Sequence, residues 1–349
     1  MIRVILAKNR DEGVDCITSI GGSWVALETE YGKKTLGTEV PNVEVALNHH
    51  GDLQTQDAPA LAYTKKIQKR YDNFIVSHID LDILFGILWT SGLIRETVLT
   101  KGLAHLVALA DVNGFHTIEP ILSQAPKKTR DIYYAIGYLV NSWVINDNGK
   151  SITDISKEIH KLLLRIKDII IKGASADQIK LYQEWFKEQQ LAAKRHLIEI
   201  KTLGINEHMF IFRAPFRLTT AYSIGDAKAT IIVQYNEQSK SITLSCFDNL
   251  VAQKYFGFRG VIEPLQKFFG EEAGGKLAIG GTSRNRDIQP EMLSGFIEFL
   301  SREYLNIPDI LPVEHNETDI KIPSRVILTM KDISIKYPII EIIKLLKSE

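Results

Sequence analysis

Three apolar, strand-like runs in the first third of the chain each end in histidine, aspartate or both. VEVAL (43–47) is followed by Asn48, His49, His50 and Asp52, NFIVS (73–77) by His78, Asp80 and Asp82, and LVALA (106–110) by Asp111. Short apolar runs bounded by polar residues read as buried strands. Between them lie the helix-like APALAYTKKIQKRY (58–71) and the apolar ILFGILWTSGLI (83–94). Strand and helix in alternation predict an α/β layer structure with a largely parallel sheet. In such a sheet the loops at the carboxyl ends of the strands lie side by side and line the ligand crevice, so the three polar ends are expected to meet.

At 349 residues the chain is long for one core and predicts two domains. Residues 1–150 form the expected N-terminal α/β domain. Residues 151–205 read as a helical connector. Ser151 and Asp154 offer a capping box, and Ile155, Ile159, Leu162, Leu163, Ile166 and Ile170 follow at helical spacing; a second, charged helix runs through LYQEWFKEQQLAAKRHLIEI. Residues 206–349 form a smaller C-terminal α/β domain. Its strand signals are MFIFRAP, ATIIVQYNEQSKSITLSC and KLAIGG, VIEPLQKFF reads as a short helix, and RVILTMKDISIKYPIIEIIKLLKSE reads as a strand followed by a terminal helix.

The chemistry is concentrated in two places. Alternate residues of an extended chain point to the same side, so His78, Asp80 and Asp82 can face one point. Imidazole with carboxylates is a ligand set suited to manganese, iron, zinc or magnesium. Such sets can hold two cations about 3.5–4 Å apart and activate water for in-line displacement at phosphorus. Farther on, GEEAGGKLAIGGTSRNR carries Gly274, Gly275, Gly280 and Gly281, which leave the backbone open to a ligand, and Arg284 and Arg286, whose forked donors suit phosphate. Each pattern also has a plain reading. His49 and His50 suit a polar turn with Gly51 and Asp52, Asp111 suits a cap, and the glycines suit two turns around KLAI.

Composition narrows the partners. With 42 basic and 42 acidic residues the formal net charge is zero, so no global field draws in duplex nucleic acid or an anionic membrane. Two cysteines far apart, without zinc spacing, favour a reducing compartment. No apolar run reaches ~18 residues and the start lacks a secretory pattern, so the expected location is cytoplasmic.

These residues together resemble the DHH phosphoesterase superfamily. SHIDLD is similar to its HxDxD motif, NHHGD to its Asp-His-His motif with Asn48 in the aspartate position, and ADVNGFH to one of its remaining aspartate motifs. GGKLAIGGTSR is similar to the glycine-rich stretch of the DHH-associated substrate domain. The histidine pair lies upstream of HxDxD, the reverse of the family order, as a permuted domain would have it, and Ile83 stands where the family has glycine. The resemblance implies a hydrolase with a divalent-metal centre, two Mn2+ or alternatively Mg2+. His78, Asp80, Asp82, Asp111 and His49 would be its ligands. His49, His50 and Asp82 would be catalytic, and Gly274, Gly275, Gly280, Gly281, Arg284 and Arg286 would contact substrate. The expected activity is a metal-dependent phosphodiesterase on a small nucleotide, a cyclic dinucleotide or a short oligonucleotide. An exonuclease, a polyphosphatase and a non-catalytic nucleotide-binding module are the alternatives, and a homodimer stays open.

Overall fold

The structure is a computed structural model that describes residues 2–31, 34–48, 58–65, 67, 69–143, 151–216, 218, 221–224, 227–283 and 286–305. His49, His50, Asp52, Arg284 and the expected C-terminal strand and helix lie outside the described residues. The chain divides into two compact units between Trp185 and Phe186.

The first unit is built on a four-stranded sheet. In chain order its elements are β1 (Arg3–Leu6), α1 (Arg10–Ile20), β2 (Trp24–Leu27), the ribbon β3 (Glu30–Tyr31) and β4 (Lys34–Thr35), β5 (Val43–Leu47), a 3-10 helix (Pro59–Lys65), β6 (Asn73–Val76), α2 (Leu81–Thr90), α3 (Val98–Asn113), α4 (Phe115–Gln124), α5 (Lys127–Asn141), α6 (Ile152–Lys172) and the first part of α7 (Ala176–His196). The sheet order is β1-β6-β2-β5, and every pairing is parallel. The expected parallel sheet is therefore present. Its central strands bury both faces: Val25, Ala26, Leu27, Phe74, Ile75 and Val76 are each 0% exposed. Continuous apolar runs are what a sheet covered on both faces requires.

LVALA is not a strand. It lies inside α3, which Thr97 starts by a reciprocal capping box with Thr100 and which ends at Gly114, whose φ of +88° suits glycine. A five-residue apolar run cannot by itself distinguish strand from buried helix, and here the cap and the Ala/Leu content decide. The segment expected to be helical from Ala58 contains the 3-10 helix Pro59–Lys65, which packs on α2.

The expected helical connector is also divided. α6 belongs to the first unit, where it packs on β1 and α5. Ser156 of α6 accepts from Val4 N at 3.0 Å and donates to Val4 O at 2.9 Å. That pair occupies the outward hydrogen-bonding groups of Val4 on edge strand β1, which would otherwise stay open to pairing. α7 crosses the boundary and ends at His196, and LIEI opens a strand instead of continuing the helix.

The second unit holds β7 (Leu197–Gly204), β8 (Glu207–Ala214), the ribbon β9 (Ser223–Ile224) and β10 (Ala227–Lys228), β11 (Ile231–Asn236), β12 (Ser241–Cys246), α8 (Asn249–Phe256), α9 (Ile262–Phe269), β13 (Gly274–Gly275), β14 (Ile279–Gly281), α10 (Met292–Leu300) and a closing turn of π-helix (Ser301–Leu305). Its six-stranded sheet runs β13-β14-β12-β11-β8-β7, antiparallel except for β8 beside β11. Helices α8, α9 and α10 supply Phe256, Leu265, Phe269 and Phe296 to a core with Ile231, Val233 and Leu244. Both units are thus α/β. Among the described residues no helix is long and apolar enough to cross a membrane.

Candidate metal centre

β2 and β6 are parallel neighbours, with Leu27 opposite Val76. Whatever follows the two strands must emerge at the same edge of the sheet. Glu28 follows β2, and Ser77, His78 and Asp80 follow β6.

Glu28 is held in an unusual conformation. Its φ is +49°, in the left-handed region that costs a non-glycine residue about 1 kcal/mol or more. Three hydrogen bonds fix it there. Glu28 N donates to Leu47 O at 2.9 Å, Thr29 N donates to Asn48 Oδ1 at 2.9 Å, and the Ser77 hydroxyl donates to Glu28 O. The side chain is 0% exposed, and its Oε2 lies 3.3 Å from His78 Nε2. His78 Nε2 is also 3.0 Å from Asp80 Oδ2.

Asp80 uses its two oxygens differently. Oδ1 caps α2 by accepting from Ile83 N at 2.9 Å, while Oδ2 faces His78. Asp82 stands in the first turn of α2, 1% exposed, and its Oδ1 accepts from Ala60 N at 3.0 Å, which fixes the carboxylate's orientation. Both carboxylates gain from the positive end of the α2 dipole. Asp111 reaches the same place from the last turn of α3, where the helix dipole disfavours a carboxylate.

Two ligand sets result. Atoms of Glu28, His78 and Asp80 lie within 4.8 Å of one another, and so do atoms of Glu28, Asp82 and Asp111. The buried Glu28 belongs to both. Among the described residues, four carboxylates gathered beside one imidazole, two of them buried, repel unless protons or cations sit among them. Oxygen with imidazole nitrogen is the donor set of manganese, magnesium, iron or zinc, and thiolates are absent from it. The residues fit a pair of divalent cations sharing Glu28.

The structure thus brings together His78, Asp80, Asp82 and Asp111, all read as candidates, and adds Glu28. The signal for Glu28 was slight. Nothing in SWVALETEY marks where a strand would stop, whereas β2 ends at Leu27. Asn48, in the aspartate position of the resemblance, belongs to neither set. It orients the chain after Glu28.

In the second unit the four glycines pair with one another, Gly274 with Gly281 and Gly275 with Gly280. A Cβ on Gly275 would stand 2.4 Å from both Gly280 Cα and Ile279 O, so the ribbon itself requires glycine there. Arg286 donates from Nη1 to Phe269 O at 3.1 Å.

No family model and no curated protein matches the chain. Among solved structures, a member of a ribosomal-protein family described as a DHH domain superposes with a TM-score of 0.42 at 13% identity, over 86% of this chain and 69% of that one. An uncharacterized protein from Helicobacter pylori G27 gives a TM-score of 0.19 at 12% identity, over 82% of this chain and 99% of that one. Likeness at this level does not define a family, and the chemistry open to the site is set by its own side chains.

Proposed function

We propose that this chain is a metal-dependent phosphodiesterase whose two divalent cations, Mn2+ first and Mg2+ second, are held by Glu28, His78, Asp80, Asp82 and Asp111. The observation that supports it is the buried Glu28 common to both ligand sets. Bound there, divalent cations would supply a nucleophile from water at neutral pH and would offset charge on the attacking and leaving oxygens at phosphorus. The protein's part is to hold the donors. The left-handed turn at Glu28 and the N-terminus of α2, which carries Asp80 and Asp82, bring these carboxylates together. His49 and His50 belong to the proposal as further ligands or phosphate contacts, and Gly274, Gly275, Gly280, Gly281, Arg284 and Arg286 as substrate contacts.

A small nucleotide, cyclic dinucleotide or short oligonucleotide is the substrate class that suits zero net charge. A cytoplasmic setting and a homodimer are part of the same reading. The test is hydrolysis of a panel of cyclic dinucleotide, dinucleotide, labelled single strand, pyrophosphate and polyphosphate with Mn2+. Cleavage of the first two, lost in Asp82→Ala and Glu28→Gln, is the expected result. Preference for the single strand or polyphosphate would place the chain as an exonuclease or polyphosphatase instead.

One observation favours a second reading, a non-catalytic nucleotide-binding module. Asn48 serves the backbone of Thr29 where a carboxylate would add charge to the centre. Tight nucleotide binding with the ligand recovered intact after long incubation with Mn2+ would support it.

A further inference from the structure

Ser77 lies between the two strand exits that carry the proposed ligands, and its hydroxyl has two partners. It donates to the carbonyl oxygen of Glu28, and its Oγ is 2.8 Å from His78 Nδ1. A hydroxyl has a single hydrogen. Once that hydrogen is committed to Glu28 O, Ser77 Oγ can only accept from His78, so Nδ1 carries the ring hydrogen. In the neutral imidazole Nε2 is then the acceptor nitrogen.

That nitrogen faces Asp80 Oδ2 at 3.0 Å and Glu28 Oε2 at 3.3 Å. A lone pair directed at two carboxylate oxygens is unfavourable unless positive charge lies among the three. A divalent cation among the three would supply that charge, with the second ring nitrogen anchored on the protein side.

We infer that Ser77 is a positioning residue: one hydroxyl sets the His78 tautomer that offers Nε2 to a divalent cation and pins the strained backbone of Glu28, which both ligand sets share. The inference rests on the proposed cation centre. It assigns to Ser77 no contact with substrate or cation. A merely structural role would be to tie the end of β6 to the end of β2, and it would leave the ring tautomer untouched.

The test uses the full chain with 15N-labelled histidine, as wild type, Ser77→Ala and Ser77→Thr. Long-range 15N–1H spectra of the metal-free protein at alkaline pH identify the protonated nitrogen of His78, and calorimetric titration with Mn2+ gives the affinity. Wild type is expected to show the Nδ1–H form. Ser77→Ala should lose that single tautomer and bind Mn2+ about 10–100-fold more weakly, the range for removing a group that orients a metal ligand. Ser77→Thr, which keeps the hydroxyl, should restore both. An unchanged tautomer in Ser77→Ala overturns the inference, and so does an altered tautomer with unchanged Mn2+ affinity. Wild type without saturable Mn2+ binding would instead remove the cation centre on which the inference rests, a failure the titration reports separately from the tautomer.

Discussion

Glu28 is the residue on which the account turns. A glutamate in the left-handed region, buried and pinned through the backbone groups on either side, is a conformation that glycine would adopt at less cost. Strain of this kind persists where the surroundings over-determine it, and here the surroundings are the exits of β5 and β6. Glu28→Gln keeps the shape and removes one charge. At a cation concentration about 100 times Kd, wild type should gain ~2.7 kcal/mol of unfolding free energy for each cation bound, reversed by a chelator, and Glu28→Gln should lose most of that gain. Thermal unfolding with and without Mn2+ measures it, and an equal shift in both proteins would count against Glu28 as a ligand. The charges of HxDxD were legible in the sequence because they interrupt an apolar segment, but the extended-chain alternation expected of them is not what gathers them: β6 ends at Val76, Asp80 caps α2, and Asp82 lies in its first turn and falls in the other ligand set. Glu28 was hidden because nothing in VALETEY shows that the strand stops at Leu27.

At the scale of elements, the centre depends on how closely α2 approaches the 3-10 helix. Gly86 permits it: a Cβ there would stand 2.7 Å from Pro59 Cβ and 3.1 Å from Pro59 O. Gly86→Ala should push Ala60 away from Asp82, cost about 1–3 kcal/mol in urea unfolding, and weaken Mn2+ binding as well. A variant that loses stability but keeps full Mn2+ affinity would show that the Ala60–Asp82 bond does not matter to the centre. α3 carries a second, titratable feature. His105 is 2.9 Å from the Tyr63 hydroxyl, and burial lowers its pKa below the ordinary 6.5. As pH falls, the unfolded chain takes up this proton first. Stability contributed by the neutral ring is therefore full above pH 6.5 and declines below it. His105→Gln should flatten that part of the decline, read from urea unfolding at about pH 7.5 and about pH 5.5. α3 also shows where pattern reading fails. LVALA placed Asp111 on the wrong element, since a short apolar run followed by Asp, Asn and Gly has the same signature at a strand end and at a helix C-terminus. α6 was legible as a helix from its spacing. Its place against β1 was not, because the pairing of Ser156 with Val4 spans most of the first unit.

At the scale of the molecule, the α/β class and the parallel sheet of the first unit were legible from the alternation of segments. What sequence spacing could not supply is which strand ends are neighbours. The order β1-β6-β2-β5 puts residue 28 beside residue 78, and only the pairing of β2 with β6 makes one centre of them. The balance of charge has its own consequence. Substrate binding should weaken only gently with salt, with a log–log slope shallower than about −2, as for fewer than about three phosphate contacts. A steep slope would point to a long polyanion. The central claim is that Glu28 joins two ligand sets into one centre for two divalent cations. Calorimetric titration of Mn2+ into chelator-stripped protein tests it most directly. Two cations per chain in the wild type, with both sites weakened in Glu28→Gln, is the result expected. No saturable binding, or the same stoichiometry and affinity in Glu28→Gln, would contradict it.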